Sequence, residues 1–165
     1  MPTIIKPEEI KFEGNNASLS QFNWHTCVPR LASLSNSKQM IFDVRSLDAG
    51  KFSYPYHFHR NSEELFVIFS GSATLRTPNG LQVINKGEIV FFETGESGAH
   101  QLYNHTNEPC VYLDIRTFLG FDVTEYPDSG KINFAPNHGV YEKQSKVEYF
   151  KGEENIDKIW KSLNQ

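Results

Sequence analysis

The chain has 165 residues, of which 38% are hydrophobic, 13% aromatic and 22% charged, and its formal net charge is −4. This length and composition are typical of one globular domain, and the scattered charge without a basic patch argues against nucleic acid or an anionic membrane as a partner. Because the amino-terminal residues lack the apolar run of a signal peptide and no stretch has the length of a transmembrane helix, we expect a cytoplasmic protein.

Short β-type segments follow a weakly patterned beginning. Residues 1–37 are predicted to form an extended arm that contains a strand near Phe22–Thr26. From Met40 onward, Gly, Asn, Pro and Asp clusters separate the segments at regular intervals. The predicted strands are Met40–Ser46, Tyr54–His59, Leu65–Phe69, Ala73–Arg76, Leu81–Ile84, Ile89–Phe92, His100–Tyr103 and Val111–Arg116. Pro78-Asn79-Gly80 predicts a hairpin, because Asn and Gly adopt the positive φ of tight turns.

This succession of short strands predicts an all-β fold with a closed or sandwiched antiparallel sheet. After Phe118 the pattern loosens, and the chain ends in apolar residues at helical spacing behind Asn155 as a cap. These residues are Ile156, Ile159, Trp160 and Leu163. They predict a short helix that packs on the barrel or on a neighbouring subunit. We therefore divide the chain into an amino-terminal arm (1–37), a barrel core (38–118) and an extension (119–165) that completes the barrel and carries the helix.

One stretch of the barrel core carries candidate metal ligands. His57 and His59 are two residues apart in a predicted strand, so their side chains point to the same face. The residues after them can form a bend, and Glu64 opens the next segment beside the two imidazoles. His100, at the start of a later strand, offers a third nitrogen. Three imidazoles and one carboxylate suit a divalent first-row transition metal. Each ligating imidazole is then expected to donate its other N–H to a carbonyl, a carboxylate or water.

The same residues resemble the two motifs of the cupin superfamily. The first motif is matched by Gly50, His57, His59, Glu64 and Gly71. The second is matched by Gly87, Gly95, His100 and Asn104. Two departures occur: Glu93 stands where the family usually has Pro, and the gap between Gly95 and His100 is two residues longer than usual.

The resemblance implies a double-stranded β-helix, or jelly-roll, barrel with a short carboxy-terminal helix. It also implies one divalent metal ion (Fe, Mn, Zn or Ni) held by His57, His59, Glu64 and His100. A subset of small single-domain bacterial cupins shows similar features. Here these features are the longer gap, Tyr126-Pro127-Asp128 and Gly139-Val140-Tyr141. The resemblance to this subset implies no general activity. A barrel that keeps the four residues as a polar network without metal is the alternative.

Strand parity predicts which other side chains face the interior. Phe66 and Ile68 share the face of Glu64, whereas Glu63 faces solvent. Leu102 and Asn104 share the face of His100. Tyr54 and Tyr56 are predicted to pack outward, because they fall on the opposite parity from His57. Three further groups of side chains could take part in binding or chemistry: arginines in strands, histidines outside the motifs and two cysteine thiols.

Arg45, Arg76 and Arg116 are expected to face outward, since charged groups are seldom buried unpaired. An inward arginine would be a candidate for binding a carboxylate or phosphate. His25, His105 and His138 are assigned to the surface or to loops. Cys27 and Cys110 form neither a paired metal motif nor a disulfide framework and are expected to be reduced.

Three functions fit a metal in such a pocket. The first is an enzyme, either a dioxygenase or an isomerase or epimerase acting on a small, oxygen-rich, sugar- or enol-like compound. For an isomerase, Tyr103 and Glu93 are the nearest acid–base candidates. The second is a module that binds or senses a small ligand in the barrel without catalysis, and the third is a purely structural metal. Exposed edge strands favour a homodimer.

Overall fold

Strands make up most of the regular structure in the computed structural model, which describes residues 2–15, 17–137 and 139–163. The strands are β1 (Phe12–Gly14), β2 (Trp24–Cys27), β3 (Met40–Leu47), β4 (Phe58–His59), β5 (Glu64–Ser70), β6 (Ser72–Thr77), β7 (Gly80–Asn85), β8 (Ile89–Phe92), β9 (Gln101–Tyr103), β10 (Cys110–Thr117), β11 (Asp122–Tyr126), β12 (Lys131–Ala135) and β13 (Gly139–Glu142). The helices are α1 (Leu31–Leu34) and α2 (Ile156–Leu163), and 3₁₀ turns cover Pro7–Glu9, Glu96–Gly98 and Lys143–Ser145.

The strands form antiparallel sheets of six, four and three members. The six-stranded sheet has the order β1-β2-β3-β10-β5-β8, the four-stranded sheet β13-β12-β11-β4 and the three-stranded sheet β7-β6-β9. Several neighbouring pairs, such as β3 and β10, β5 and β10, and β4 and β11, are far apart in the chain, as in a jelly roll, where the strands wind between two facing layers. The predicted all-β jelly-roll fold with a short carboxy-terminal helix is confirmed.

Two differences from the predicted strands bear on the site. The segment predicted as Tyr54–His59 is extended only at its end, in β4. Residues 119–142 contain β11, β12 and β13, which were not predicted because this stretch lacks hydrophobic alternation. In β11 the inward positions are taken by the buried polar residues Asp122 and Thr124, and Glu125 is buried on the opposite face, so the strand has no apolar stripe.

Tight turns join β5, β6 and β7. The predicted hairpin is confirmed, with Thr77 opposite Gly80 and a positive φ of 114° at Gly80. Gly71, between β5 and β6, has φ of 76°, and a Cβ there would come within 2.5 Å of the Pro109 carbonyl oxygen. Only glycine fits this close approach of two backbones.

An apolar cluster fills one end of the barrel beneath the histidines. Its buried members are Leu47, Phe66, Ile68, Ala73, Leu75, Ile84, Phe92, Leu102, Cys110 and Tyr112. The predicted inward orientation of Phe66, Ile68 and Leu102 agrees with this cluster. Asn104 is fully buried as well, and its amide donates to the carbonyl oxygens of Leu47 (2.9 Å) and Glu108 (2.8 Å). Cys27 and Cys110 are both buried and free, in separate clusters.

The predicted terminal helix is present as α2, and its apolar side chains are exposed. Ile156 is 44% exposed and Leu163 is 75% exposed, and none of the described residues of α2 is buried. Packing of this stripe on a neighbouring subunit stays a prediction. Among the described residues, no helix has the length and apolar character needed to cross a bilayer.

Candidate metal centre

Backbone pairing brings four side chains from three segments of the chain together. The backbone N–H of His57 donates to the carbonyl of His100 at 3.2 Å, and the N–H of His100 returns the bond at 2.8 Å. His59 lies in β4, opposite Thr124 of β11, and Glu64 is the first residue of β5. All four predicted ligands are buried, with 2–8% of each residue exposed.

The donor atoms of these residues converge. One ligand atom each from His57, His59 and Glu64 lies within 4.8 Å of the other two. Glu64 Oε2 is 3.1 Å from His100 Nε2 and 3.5 Å from His59 Nε2. The rings of His57 and His100 have centroids 4.6 Å apart. The structure therefore gathers all four side chains, with His100 joined to the other three through Glu64.

Each of the three imidazoles is oriented through its Nδ1 atom. His57 Nδ1 is 2.8 Å from the Pro55 carbonyl oxygen, and His100 Nδ1 is 2.9 Å from the Gly98 carbonyl oxygen. His59 Nδ1 is 2.5 Å from Asp122 Oδ2. An Nδ1–H that donates to oxygen leaves the Nε2 lone pair as the free ligand atom. These contacts match the supporting hydrogen bonds predicted for ligating histidines.

Burial and neighbouring groups set the charge states of the cluster. Burial, with His100 and His59 nearby, lowers the pKa of His57 to about 3, so this imidazole is neutral. Burial would raise the pKa of Glu64, but the neighbouring His100 and His59 imidazoles hold it well below its usual value. Burial likewise opposes protonation of His59, yet Asp122 and Glu64 hold its pKa above the ordinary value. The cluster thus combines an ionised carboxylate with imidazoles whose charge depends on their partners.

Two buried polar atoms test whether a metal fits. Glu64 Oε2 and His100 Nε2 have no hydrogen-bond partner among the described residues, although they lie only 3.1 Å apart. Buried polar atoms are almost always satisfied, and an orphaned pair calls for an explanation. Imidazole nitrogens and a carboxylate oxygen are the donor set that divalent transition metals prefer. The four residues therefore fit such an ion.

Asp122 supports the centre and was missed by the sequence analysis. Its carboxylate is fully buried and accepts from the Asn61 backbone N–H at 3.0 Å in addition to contacting His59. Burial would raise its pKa, but the hydrogen bond from His59 keeps it lowered. The residue lies 63 positions after His59 in a stretch without strand patterning, so no local signal could have connected the two.

The loop before His100 shapes the centre from the other side. Gly98 supplies the carbonyl that orients His100, and a Cβ on Gly98 would overlap the Glu93 carbonyl oxygen at 1.9 Å. Gly95 N–H donates to the His59 carbonyl oxygen at 2.8 Å. The longer gap noted in the second motif therefore forms a tight 3₁₀ turn that holds two of the imidazoles in place.

A cavity of about 200 Å³ opens beside the cluster. It is lined by Arg30, Ile41, Arg45, Tyr54, His57, His59, Glu64, Asp114, Arg116, Thr124, Tyr126 and Asn133. The outward orientation expected for Arg45, Arg116 and Tyr54 was therefore wrong. For Tyr54 the parity argument failed because its segment is not a regular strand. Arg45 is only 6% exposed because Asp114 and Thr26 bind its guanidinium, whereas Arg116 is half-buried beside the His59 ring.

Asp114 is the carboxyl group of the cavity outside the predicted ligand set. Its Oδ2 accepts from Arg45 Nε at 2.5 Å, and Arg45 is itself fixed by Thr26 at 3.0 Å. Burial, reinforced by the nearby Glu64 carboxylate, raises the pKa of Asp114 to about 6. Neither Tyr103 nor the exposed Glu93 lines the cavity, so the acid–base candidates named from sequence were misplaced.

The orientations predicted for the other singled-out side chains were correct except for Tyr56. Glu63 is exposed, and Arg76 faces outward, where it pairs with Asp128 at 2.6 and 2.8 Å. Tyr56 is not outward but buried, beneath the Arg76 guanidinium at 3.9 Å. His105 is exposed, as expected, and contacts Thr74.

Two histidines outside the motifs remain. His25 lies in β2 rather than in a loop, half-buried and paired with Asp48 at 3.1 Å. His138 lies outside the described residues.

Comparisons with known proteins agree with this geometry. The profile of the Cupin domain family matches residues 44–116. No curated protein matches the chain. Among solved structures, a candidate sugar phosphate isomerase from Acidithiobacillus ferrooxidans is 26% identical with a TM-score of 0.67, over 75% of this chain and 80% of that one.

Two further solved structures share the fold at lower identity. A sugar phosphate isomerase of the cupin superfamily from Silicibacter pomeroyi is 17% identical with a TM-score of 0.76, over 90% of this chain and 98% of that one. A predicted oxalate decarboxylase from Thermotoga maritima is 19% identical with a TM-score of 0.58, over 71% of this chain and all of that one.

Proposed function

We propose that this chain, a member of the cupin superfamily, holds one divalent transition metal ion through His57, His59, Glu64 and His100 and acts on a small, oxygen-rich organic molecule in the adjoining cavity. The observation that carries the proposal is the convergence of four buried donor side chains, three of them imidazoles held through Nδ1. A purely structural metal would need no cavity, whereas here a cavity of about 200 Å³ adjoins the ligands.

The chain's own groups suit proton-transfer chemistry at this place. When bound, a divalent metal ion supplies polarisation of a substrate oxygen. Asp114 lines the cavity beside Glu64, and Arg45 fixes its carboxyl group, so it can hold or release a proton at the substrate. Tyr126 and Thr124 line the same wall and offer hydroxyl groups that orient substrate oxygens.

An isomerase or epimerase is the enzyme class that these groups favour. Such reactions need a positioned acid–base group next to the site of oxygen polarisation. Asp114 satisfies that requirement, and the 26% identity to a candidate sugar phosphate isomerase agrees with it. The cavity is smaller than the roughly 300 Å³ at which drug-sized ligand sites begin, which favours a compact sugar-like or enol-like compound.

Metal analysis of the purified protein tests the proposal. We expect one divalent transition metal ion per chain, retained through dialysis and lost in Glu64→Gln and His59→Ala. His105→Ala is the matched control, because among the described residues the side chain of this exposed histidine is hydrogen-bonded only to Thr74. Equal metal loss in the control, or a wild-type chain that takes up no transition metal after loading, would refute the metal centre.

The metal that is found directs the assay of turnover. Proton exchange from D₂O into small aldoses, ketoses and their acids, followed by NMR, tests the isomerase reaction. Oxygen uptake with iron or manganese bound would instead favour a dioxygenase. A metal-loaded chain that binds small ligands without turnover would support the sensing module.

A cytoplasmic homodimer belongs to the same proposal. The edge strand β1 is exposed at all three of its residues, Phe12–Gly14, and lies at the end of the six-stranded sheet. Edge strands offer unpaired backbone groups to a second chain. Sedimentation at micromolar concentration that shows only an 18.9 kDa species would contradict the dimer.

A further inference from the structure

Arg116 enters the cavity from the strand next to Glu64. In the antiparallel pairing of β10 with β5, Arg116 lies directly opposite Glu64, so both side chains point to the same face. Arg116 Nη1 is 3.4 Å from His59 Nδ1 and 3.3 Å from His59 Nε2. Nearly equal distances to both ring nitrogens place the guanidinium against the ring rather than in line with either lone pair.

The other cations of the cavity already have carboxylate partners. Arg30 pairs with Asp43, and Arg45 pairs with Asp114. Across the part of the chain that the structure describes, Arg116 forms no ion pair. The positive charge of Arg116 helps to lower the pKa of Asp122, but the two carboxylate oxygens of Asp122 are bound by His59 and by the Asn61 backbone N–H.

A cation that lines a cavity beside a metal centre needs an anion. The guanidinium has five N–H donors, and among the described residues only its Nη1 atom lies within hydrogen-bond distance of a polar atom. The charge of Arg116 is offset if the occupant of the cavity carries a negative charge.

We infer that Arg116 is the specificity-determining residue of this pocket and binds the carboxylate of a small hydroxy acid. The inference rests on the proposed function, since it names the substrate class of the same site. The planar guanidinium fork matches a carboxylate with two parallel hydrogen bonds. A single arginine without an ion-pair partner also balances a monoanion, whereas a phosphate ester carries roughly −1.5 to −2 at neutral pH.

Asn133 supports the hydroxyl part of the ligand. It lines the cavity, and its Oδ1 is a buried acceptor without a hydrogen-bond partner among the described residues. Its pairing partner in β11 is Thr124, which contacts His59 at 3.3 Å. The unpaired Asn133 Oδ1 can accept a hydrogen bond from a substrate hydroxyl, and a hydroxy acid supplies such a group.

Binding of three matched compounds tests the inference. D-glycerate, neutral glyceramide and glycerol 3-phosphate share a three-carbon skeleton and differ in the group offered to Arg116. We expect calorimetry to show D-glycerate binding to the wild-type chain at least about 10-fold more tightly than glyceramide, because charged hydrogen bonds contribute about 1.5–3 kcal/mol. In Arg116→Gln we expect a loss of about 10- to 100-fold for D-glycerate only, and in Arg116→Lys an intermediate loss.

Arg76→Gln is the matched control, since Arg76 lies outside the cavity and pairs with Asp128. Metal content and thermal unfolding are measured for every variant, and the titrations are run on metal-loaded and metal-free protein. If the wild-type chain takes up no metal, the proposed function fails. The preference for glycerate over the amide then still tests whether Arg116 binds a carboxylate. No detectable glycerate binding, equal binding of the amide, tighter binding of the phosphate, or an Arg116→Gln variant with wild-type affinity overturns the inference.

Discussion

Substitution of Asp122 by Asn probes how the fold prepares His59 as a ligand. The wild-type carboxylate receives two donors, His59 Nδ1–H at 2.5 Å and the Asn61 backbone N–H at 3.0 Å. An amide has only one oxygen, so in Asp122→Asn one of these donors must face an NH₂ group. Either the Asn61 N–H is left without an acceptor, or His59 changes tautomer and places a proton on Nε2, where it blocks the metal.

The size of the effect follows from these contacts. Loss of a residue that orients a ligating histidine typically weakens metal affinity by about 10- to 100-fold, or about 1.4–2.7 kcal/mol. Because Asp122 is fully buried, the metal-free protein should also lose about 1.5–3 kcal/mol of unfolding free energy, the contribution of a hydrogen bond to a charged group.

Competition with a chelating dye measures the metal affinity, and urea unfolding of metal-free protein measures the stability. Asp128→Asn is the matched control, because its carboxylate is 54% exposed and pairs with Arg76 away from the centre. This control should change stability by at most about 1 kcal/mol and leave metal affinity unchanged. An Asp122→Asn protein that binds metal as tightly as the wild-type chain would refute the orienting role of Asp122.

Four further predictions concern the fold and its pH dependence. Gly71→Ala should cost about 1–3 kcal/mol in urea unfolding, since its positive φ and the nearby backbone exclude a Cβ; wild-type stability would contradict this. Leu102→Ala should cost about 2–5 kcal/mol, whereas Leu81→Ala, at a 73% exposed position, should stay within about 0.5 kcal/mol of wild type. Burial would raise the pKa of Glu125, but Lys143 and Arg60 hold it lowered, so the wild-type chain should be more stable than Glu125→Gln by about 1 kcal/mol at neutral pH. That advantage is present above the ordinary glutamate pKa and is lost as the pH falls through the lowered one; a pH-independent difference would contradict it. Bound metal should decrease between about pH 7.5 and about pH 5, because ligating imidazoles must be neutral, and flat occupancy in equilibrium dialysis would argue against histidine ligation.

The candidate ligands could be recognised in the sequence because three of the four lie close together in the chain. His57, His59 and Glu64 lie within eight consecutive residues, and the two-residue period of a strand places the histidines on one face whatever the rest of the fold does. His100 required the resemblance of the second motif to a known family. Its register with His57 is a product of backbone pairing between segments more than forty residues apart.

The residues that surround the candidate ligands could not be predicted from the sequence. Arg116 and Arg45 look like ordinary surface residues in a strand, and only closure of the barrel shows that they share a cavity with Asp114. Tyr54 was misplaced because parity holds only while a segment stays extended, and the backbone before β4 does not. Asp122 sits in a strand whose inward side chains are polar, so hydrophobic alternation could not reveal it.

The sequence by itself determined the all-β class, the hairpin at Pro78-Asn79 and the side-chain types that can hold a metal, because each depends on neighbours a few positions apart. The tertiary structure alone decided which partners face those side chains and which charges stay unmatched. Both depend on long-range strand pairing, because only that pairing brings charged and polar groups from distant parts of the chain into one cavity.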